Sequence, residues 1–287
     1  MGFQLTRFEV LVEPKHYYKS GERVNCMLII ELNGSLKCKH VFITAIGECH
    51  AKFYRQTRDL GTTHFMSIPL NLRDIVKTDI MQNALYRVPF DFILHNAFLP
   101  SYKVKNGHVM YYVEAIIDNK LFSDNTYNTK QEFTVKMPSN VVTTHTRDRP
   151  VASVRENLLR YYGIKIGTVR LSAHMDKDTY YPGDKIYINF HLANRSTRVV
   201  RFWPQVIRKT SFKKEYIYLD SNDLVSANCA DACLENNSIS DIVSISLPFD
   251  CISTIDSSLV EIAYTVKLFV DIQNSIEYFD EIPIFIR

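Results

Sequence analysis

The sequence predicts an all-β protein of two antiparallel, immunoglobulin-like β-sandwich domains joined by a short linker. Three observations carry this. Apolar and polar residues alternate with period two through most of the chain, the pattern of strands with one buried face. Turn signals built on Gly, Pro, Asn and Ser break those runs about every 8–12 residues. The second half of the chain repeats landmarks of the first in the same order. The 287 residues leave room for two domains of about 150 each, and 17 Tyr and 17 Phe beside many Val, Ile and Thr suit strands.

Taken in order, residues 3–12 and 24–32 alternate, the second run ending at the turn Asn33-Gly34-Ser35. Residues 41–49, 88–94, 109–117 and 131–137 do likewise. Between them stand Lys19-Ser20-Gly21-Glu22, Leu99-Pro100-Ser101 and Lys105-Asn106-Gly107, each a turn signal. Two stretches carry helical features. Residues 75–85 do so weakly. Residues 153–162 (SVRENLLRYY) do so through the capping-box spacing of Ser153 and Glu156 and the stop at Gly163. That short helix falls in a linker marked by Pro138, Ser139, Thr143, Thr144 and Pro150. The expected boundaries are therefore an N-domain at 1–138, a linker at 139–163 and a C-domain at 164–287.

The repeat is specific. Tyr18-Lys19-Ser20-Gly21-Glu22-Arg23-Val24 matches Tyr180-Tyr181-Pro182-Gly183-Asp184-Lys185-Ile186, 162 residues on. Both read aromatic, turn, Gly, acid, base, β-branched, and both lead into a strand. Tyr111-Tyr112-Val113 with Asp118 matches Tyr264-Thr265-Val266 with Asp271, 153 residues on. Either match alone is unremarkable; two in order imply two copies of one fold.

Composition excludes several functions. A net charge of +3 from 34 basic and 31 acidic residues is too balanced for a dedicated nucleic-acid binder. No apolar run approaches the roughly 18 residues of a membrane helix, and the N-terminus lacks a signal peptide's three regions. A cytosolic chain with six reduced cysteines is expected, so the Asn-x-Ser triplets at Asn33, Asn194 and Asn236 carry no glycan. There is no Gly-x-Ser-x-Gly, His-Glu-x-x-His, Walker A or Gly-x-Gly-x-x-Gly motif. His108, His174 and His191 show no ligand spacing. The expectation is no enzyme, no cofactor and no metal.

The charge is unevenly spread. Residues 195–214 hold seven cations and no acid, whereas residues 220–287 hold 2 basic and 12 acidic residues. An exposed strand face bearing Arg198, Arg201, Arg208, Lys209, Lys213 and Lys214 would suit anionic phospholipid or a phosphorylated cargo tail; a solvated face balanced by the acidic quarter is the competing reading. Alternation puts Arg201, Trp203 and Gln205 on one side, with Trp203 a packing residue. Cys229 and Cys233 lack the second pair a zinc site needs. Asp231 and Glu235 nearby raise a thiol's pKa, so the residues themselves make Cys229 an ordinary loop cysteine. Cys26, Cys38, Cys49 and Cys251 read as small core residues. Met1-Gly2-Phe3-Gln4-Leu5-Thr6 formally fits a myristoylation pattern, although Phe3 already alternates as strand.

These ordered motifs resemble the arrestin superfamily, its α-arrestin (arrestin-domain-containing) branch most closely. The resemblance rests on Tyr18 to Val24; on Leu36 to Gly47; on Leu99-Pro100-Ser101 with Tyr111; on Tyr180 to Asp184 with Asn194-Arg195-Ser196; and on Ile282-Pro283-Ile284-Phe285-Ile286. It covers about residues 3–286 and implies two packed arrestin-like sandwiches. The implied role is a cytosolic adaptor, peripheral to plasma membrane or endosomes. It would bind membrane-protein cargo tails and support endocytic or endosomal sorting and ubiquitin-linked regulation. Two departures bear on mechanism. No Pro-Pro dipeptide occurs, so ligase recruitment through a Pro-Pro-x-Tyr motif gives way to indirect recruitment through other α-arrestins or ligase complexes. The Lys-Arg-Asp phosphate sensor of visual arrestins is also missing. Two alternatives stay open: a coat subunit like the arrestin-fold component of retromer, and a redox-regulatory binder. In the latter, the resemblance places Cys229 where a branch member carries a reactive thiol toward a thioredoxin-type partner.

Overall fold

The computed structural model describes residues 5–37, 40–53, 58–70, 80–81, 83–94, 99–104, 106–118, 126–136, 149–161, 163–214, 217–272 and 275–287. They contain strands and no helix. The chain divides into two compact units, Met1–Val141 and Val142–Arg287.

The first unit holds β1 (Leu5–Val12), β2 (Arg23–Leu32), β3 (Leu36–Lys37), β4 (His40–Phe53), β5 (Arg58–Leu70), β6 (Ile80–Met81), β7 (Leu85–Ile93), β8 (Tyr102–Val104), β9 (Gly107–Asp118) and β10 (Thr126–Phe133). One sheet runs β1-β2-β7. The other runs β10-β9-β4-β5 with β8 on β9, and β3 pairs with β6. Alternation decides the faces. Val24, Cys26, Leu28, Ile30 and Leu32 of β2 are buried, as are Val109, Tyr111, Val113, Ala115 and Ile117 of β9. Between the sheets Phe133 meets Tyr18 edge-on at 5.7 Å, Phe92 at 6.1 Å and Tyr111 at 6.0 Å. Burying side chains of this size contributes about 1.5–3 kcal/mol each.

The second unit holds β11 (Val151–Tyr161), β12 (Ile164–Met175), β13 (Thr179–Tyr180), β14 (Lys185–Ser196), β15 (Val200–Lys214), β16 (Ile217–Ala227), β17 (Ala232–Cys233), β18 (Asn237–Ser246), β19 (Ile255–Asp256), β20 (Val260–Ile272) and β21 (Ser275–Ile286). One sheet runs β11-β12-β14-β18, the other β13-β21-β20-β15-β16, with β17 on β15 and β19 on β20. The central strand β20 buries every second residue along its whole length. Gly167, at φ +134°, is required: a Cβ there would sit 2.2 Å from the Arg195 carbonyl oxygen.

The repeat read from sequence extends into hydrogen bonds. Gly21 and Gly183 turn at φ +85° and +88°, which glycine adopts without a Cβ clash. The carboxylate after each glycine accepts the backbone N–H three residues earlier, Lys19 to Glu22 and Tyr181 to Asp184, both at 3.1 Å. Lys15 and Lys177 pair with those same carboxylates. In each unit a hydroxyl residue locks the final strand. Ser101 Oγ accepts from the Val135 amide and Thr254 Oγ1 from the Ile286 amide, both at 2.9 Å.

Three expectations are corrected. Of the helix expected at 153–162, residues 153–161 are strand and Tyr162 lies outside the described residues: β11 pairs with β12 from Val151↔Met175 to Tyr161↔Ile164, and Gly163 belongs to the hairpin turn. An eleven-residue ladder outweighs a local capping signal. Ser153 donates to Asp280 on β21 at 2.7 Å instead of capping anything, and Arg155 joins it there at 3.1 Å. The linker expected at 139–163 thus loses 151–161 to a sheet, while 139–148 lies outside the described residues. Of the weak helix at 75–85, residues 80–81 and 85 are strand and 75–79 lie outside the described residues. The sheets are antiparallel as expected, with short parallel pairings of Thr179 with Phe285, Tyr180 with Ile286 and Tyr18 with Val135.

Candidate functional site

The cationic stretch lies along β15, between β20 and β16. Those neighbours carry the acidic quarter back onto it. Arg208 donates to Asp223 at 2.9 Å, Lys209 pairs with Asp220 at 3.2 Å, and Lys213 with Glu261 at 2.8 Å and Asp256 at 3.6 Å. Arg208 does not share a face with its neighbours. It stands opposite Tyr264 in the row that buries Phe202, Val206 and Thr210, and its Nε is buried without a hydrogen bond among the described residues. Burial opposes its charge, but Asp223 and Tyr264 outweigh that and hold the guanidinium above its ordinary pKa. Arg201 is exposed opposite Asp271, with Trp203 and Gln205 on the same side between buried Phe202, Pro204 and Val206. Lys214 is exposed at the strand's end and Arg198 precedes its start. The six cations are therefore a partly neutralised row divided between two faces.

Cys229 lies between β16 and β17 and is exposed, whereas Cys26, Cys49 and Cys233 are buried and Cys251 half-buried; Cys38 lies outside the described residues. Partial burial raises the Cys229 pKa; Asp271 and Asp231 push the same way and Arg201 opposes them. The resting thiol is thus less ionised than an ordinary cysteine, not activated. Past that loop, just after β17, the Leu234 carbonyl accepts at 2.9 Å from the carboxamide of the fully buried Asn194, which also donates to the Arg198 carbonyl before β15 at 2.8 Å.

A cluster on the outer face of β10-β9-β4-β5 escaped the sequence reading. Glu48 on β4 is only 12% exposed at its side chain. Its carboxylate lies 3.2 Å from His108 Nε2, accepts from the Tyr112 hydroxyl at 2.9 Å and lies 3.7 Å from His64 Nε2. Burial would raise the Glu48 pKa, but the bonds from His108 and Tyr112 and the charge of Lys130 leave it lowered. Lys130 caps the Tyr112 ring at 3.5 Å from its centroid. The His50 ring stacks on His108 at 5.4 Å. Alternation alone puts 48 with 50 and 108 with 110 and 112 on outward faces. Only the β4–β9 register brings His50 opposite His108. Among the described residues no group of three His, Cys, Asp or Glu has metal-binding geometry.

Comparison with known proteins decides the family. Residues 7–142 match the model "Arrestin (or S-antigen), N-terminal domain" and residues 165–287 the corresponding C-terminal domain. The chain belongs to the arrestin family. Its relatives include arrestin domain-containing protein 17 of Caenorhabditis elegans, 23% identical over 73% of this chain and 53% of that protein. Thioredoxin-interacting protein of Homo sapiens is 28% identical over 69% of this chain and 52% of its own length. The Pongo abelii protein of that name is 24% identical over 99% of this chain and 74% of its own. The arrestin chain described here thus spans about half the length of the first and second of these. No described helix is long and apolar enough to cross a membrane.

Proposed function

We propose that this arrestin-family chain is a non-enzymatic adaptor that binds cytosolic tails of membrane-protein cargo at the plasma membrane or endosomes. It supports their sorting and, through partners, their ubiquitin-linked regulation. Membership of the family across both domains supports the adaptor role. The observation that carries the tail-binding role is β5, thirteen residues at the end of its sheet with β4 as its one ladder partner among the described residues. An open strand edge presents unpaired N–H and C=O groups that an extended peptide can join. Anionic phospholipid would be met chiefly by the outward Arg201, with Arg198 and Lys214 near the ends of β15; Arg208, Lys209 and Lys213 contribute less because they are tied to carboxylates. Affinity purification with mass spectrometry tests the adaptor reading. Recovery of membrane proteins with sorting factors supports it; stoichiometric recovery of coat subunits would favour the scaffold alternative; recovery of neither overturns it.

A second reading has its own observation, the exposed Cys229 in a chain similar to proteins named for interacting with thioredoxin. Here the Cys229 thiolate attacks a partner disulfide, forming a mixed disulfide and releasing a partner thiolate. The raised pKa of the thiol weighs against it. Loss of a trapped mixed disulfide on Cys229→Ser, with a thioredoxin-type protein as probe, would support it. No trapped species with the unsubstituted chain would remove it.

A further inference from the structure

Lys103, His108, His50 and Thr62 stand directly opposite one another on the adjacent strands β8, β9, β4 and β5. Alternation turns this row outward, because Val109, Cys49 and Ala51 beside it are buried. Each imidazole commits one nitrogen to the protein: His50 Nδ1 lies 3.1 Å from Thr62 Oγ1, and His108 Nε2 3.2 Å from Glu48 Oε1. The other nitrogen of each has no partner among the described residues. Beside the rings opens a cleft of about 100 Å³, lined by His50, Lys52, Lys103 and His108 with the Asn106-Gly107 turn. A water needs about 10–15 Å³ by the same measure, so a tetrahedral oxyanion has room.

Among the described residues no carboxylate lines this cleft. Two stacked imidazoles that line one cleft with Lys52 and Lys103 repel one another when protonated, unless an anion lies between them. Glu48 lies 3.2 Å from His108 Nε2 but does not line the cleft. We propose that the cleft binds a phosphate monoester, and binds it more tightly as the pH falls and His50 and His108 take up protons.

The groups facing the pair set the sign. They are Glu48 and Lys52 on β4, His64 on β5, Lys103 on β8, Tyr112 and Glu114 on β9, and Lys130 and Glu132 on β10; Asp59 on β5 is the register partner of Lys52. Glu48 is in contact with His108, and His64 shares it. Imidazoles change charge between about pH 5 and 8, so acidification adds positive charge at the cleft while its lysines stay charged. A bound dianion should raise each imidazole's proton affinity, which by linkage means tighter anion binding at lower pH. The inference does not depend on the cargo reading, since the anion would bind whether or not a tail does.

The test uses the full chain and inorganic sulfate, a tetrahedral probe whose own charge stays fixed across this range, followed by imidazole NMR. Sulfate should shift the His50 and His108 resonances and bind about tenfold more tightly at about pH 6 than at about pH 7.5. The combined His50→Gln and His108→Gln variant, checked for native circular dichroism, should lose that pH dependence, and Lys103→Ala should weaken binding at both pH values. Equal affinity of the unsubstituted chain at the two pH values overturns the proposal without reference to any variant, as does undiminished pH dependence in the double variant. Glycerol 3-phosphate and phosphatidic acid vesicles then separate the sources. Competition by the soluble ester supports a free ligand. Binding confined to phosphatidic acid vesicles, with none to phosphatidylserine vesicles, supports a lipid headgroup. Binding of neither ester overturns the assignment to phosphate monoesters.

Discussion

The Tyr264 hydroxyl donates a 2.8 Å hydrogen bond to the carbonyl of Ile252, twelve residues earlier. Tyr111 makes the same bond over the same spacing to Leu99, at 2.6 Å. Both tyrosines are buried in central strands, so each fastens the incoming loop to its own sandwich.

Replacing either tyrosine by Phe should cost about 1 kcal/mol, the net worth of such a bond. The chain's one tryptophan is Trp203, in the second unit. Tyr264→Phe should therefore lower the denaturation midpoint followed by tryptophan fluorescence, while Tyr111→Phe should act on the transition followed by far-ultraviolet circular dichroism. Equal shifts of the fluorescence midpoint would show that the units unfold as one.

Glu48 gives the first unit an acid limb. Its folded pKa is lowered, so its contribution is complete above the unfolded carboxyl value of about 4.3 and is lost as the pH falls through the folded value. Glu48→Gln should make stability less dependent on pH below about 4.3 and should cost about 1–2 kcal/mol at neutral pH. Urea midpoints measured across the acid range check both.

Asn194 ties the Arg198 carbonyl, between β14 and β15, to the Leu234 carbonyl, between β17 and β18. Asn194→Ala should destabilise the second unit by about 2–3 kcal/mol, because those carbonyls lose their donor inside the protein. It should also free Cys233, whose Sγ now lies against the Leu192 and Asn237 carbonyls. Faster labelling of Cys233 by a thiol reagent is the readout, with Cys26 as the buried control.

Arg201 is the group opposing the upward push on the Cys229 thiol. Arg201→Ala should slow alkylation of Cys229 near neutral pH by a few-fold, and Asp271→Asn should speed it, because the thiolate is the reacting form. Changes in the opposite directions would show that Asp271 and Arg201 act on the loop's conformation rather than on the thiolate.

Sequence reading reached the two sandwiches because period-two alternation and glycine turns are local properties. Gly21 and Gly183 announce their turns without reference to anything distant. It misread residues 153–161 because Ser153 and Glu156 form a valid local cap, and nothing within that stretch reveals that β12 will pair along the whole length of β11. It grouped Arg208 with Arg201 and Lys209 because charge along a chain carries no face; alternation separates them once β20 fixes which face is buried.

The sequence by itself determined the fold class, the duplication and the residues of each turn, since these follow from side-chain size, periodicity and backbone freedom within a few residues. The tertiary structure alone decided the electrostatics. It laid Asp220, Asp223 and Glu261 against the cations of β15, turning a seven-cation run into a partly neutralised row. By register it also drew His64 and His108, 44 residues apart in sequence, to one buried carboxylate and stacked His50 on His108. Strand pairing joins residues by position in the sheet rather than in the chain, and Coulomb interactions depend on those distances alone.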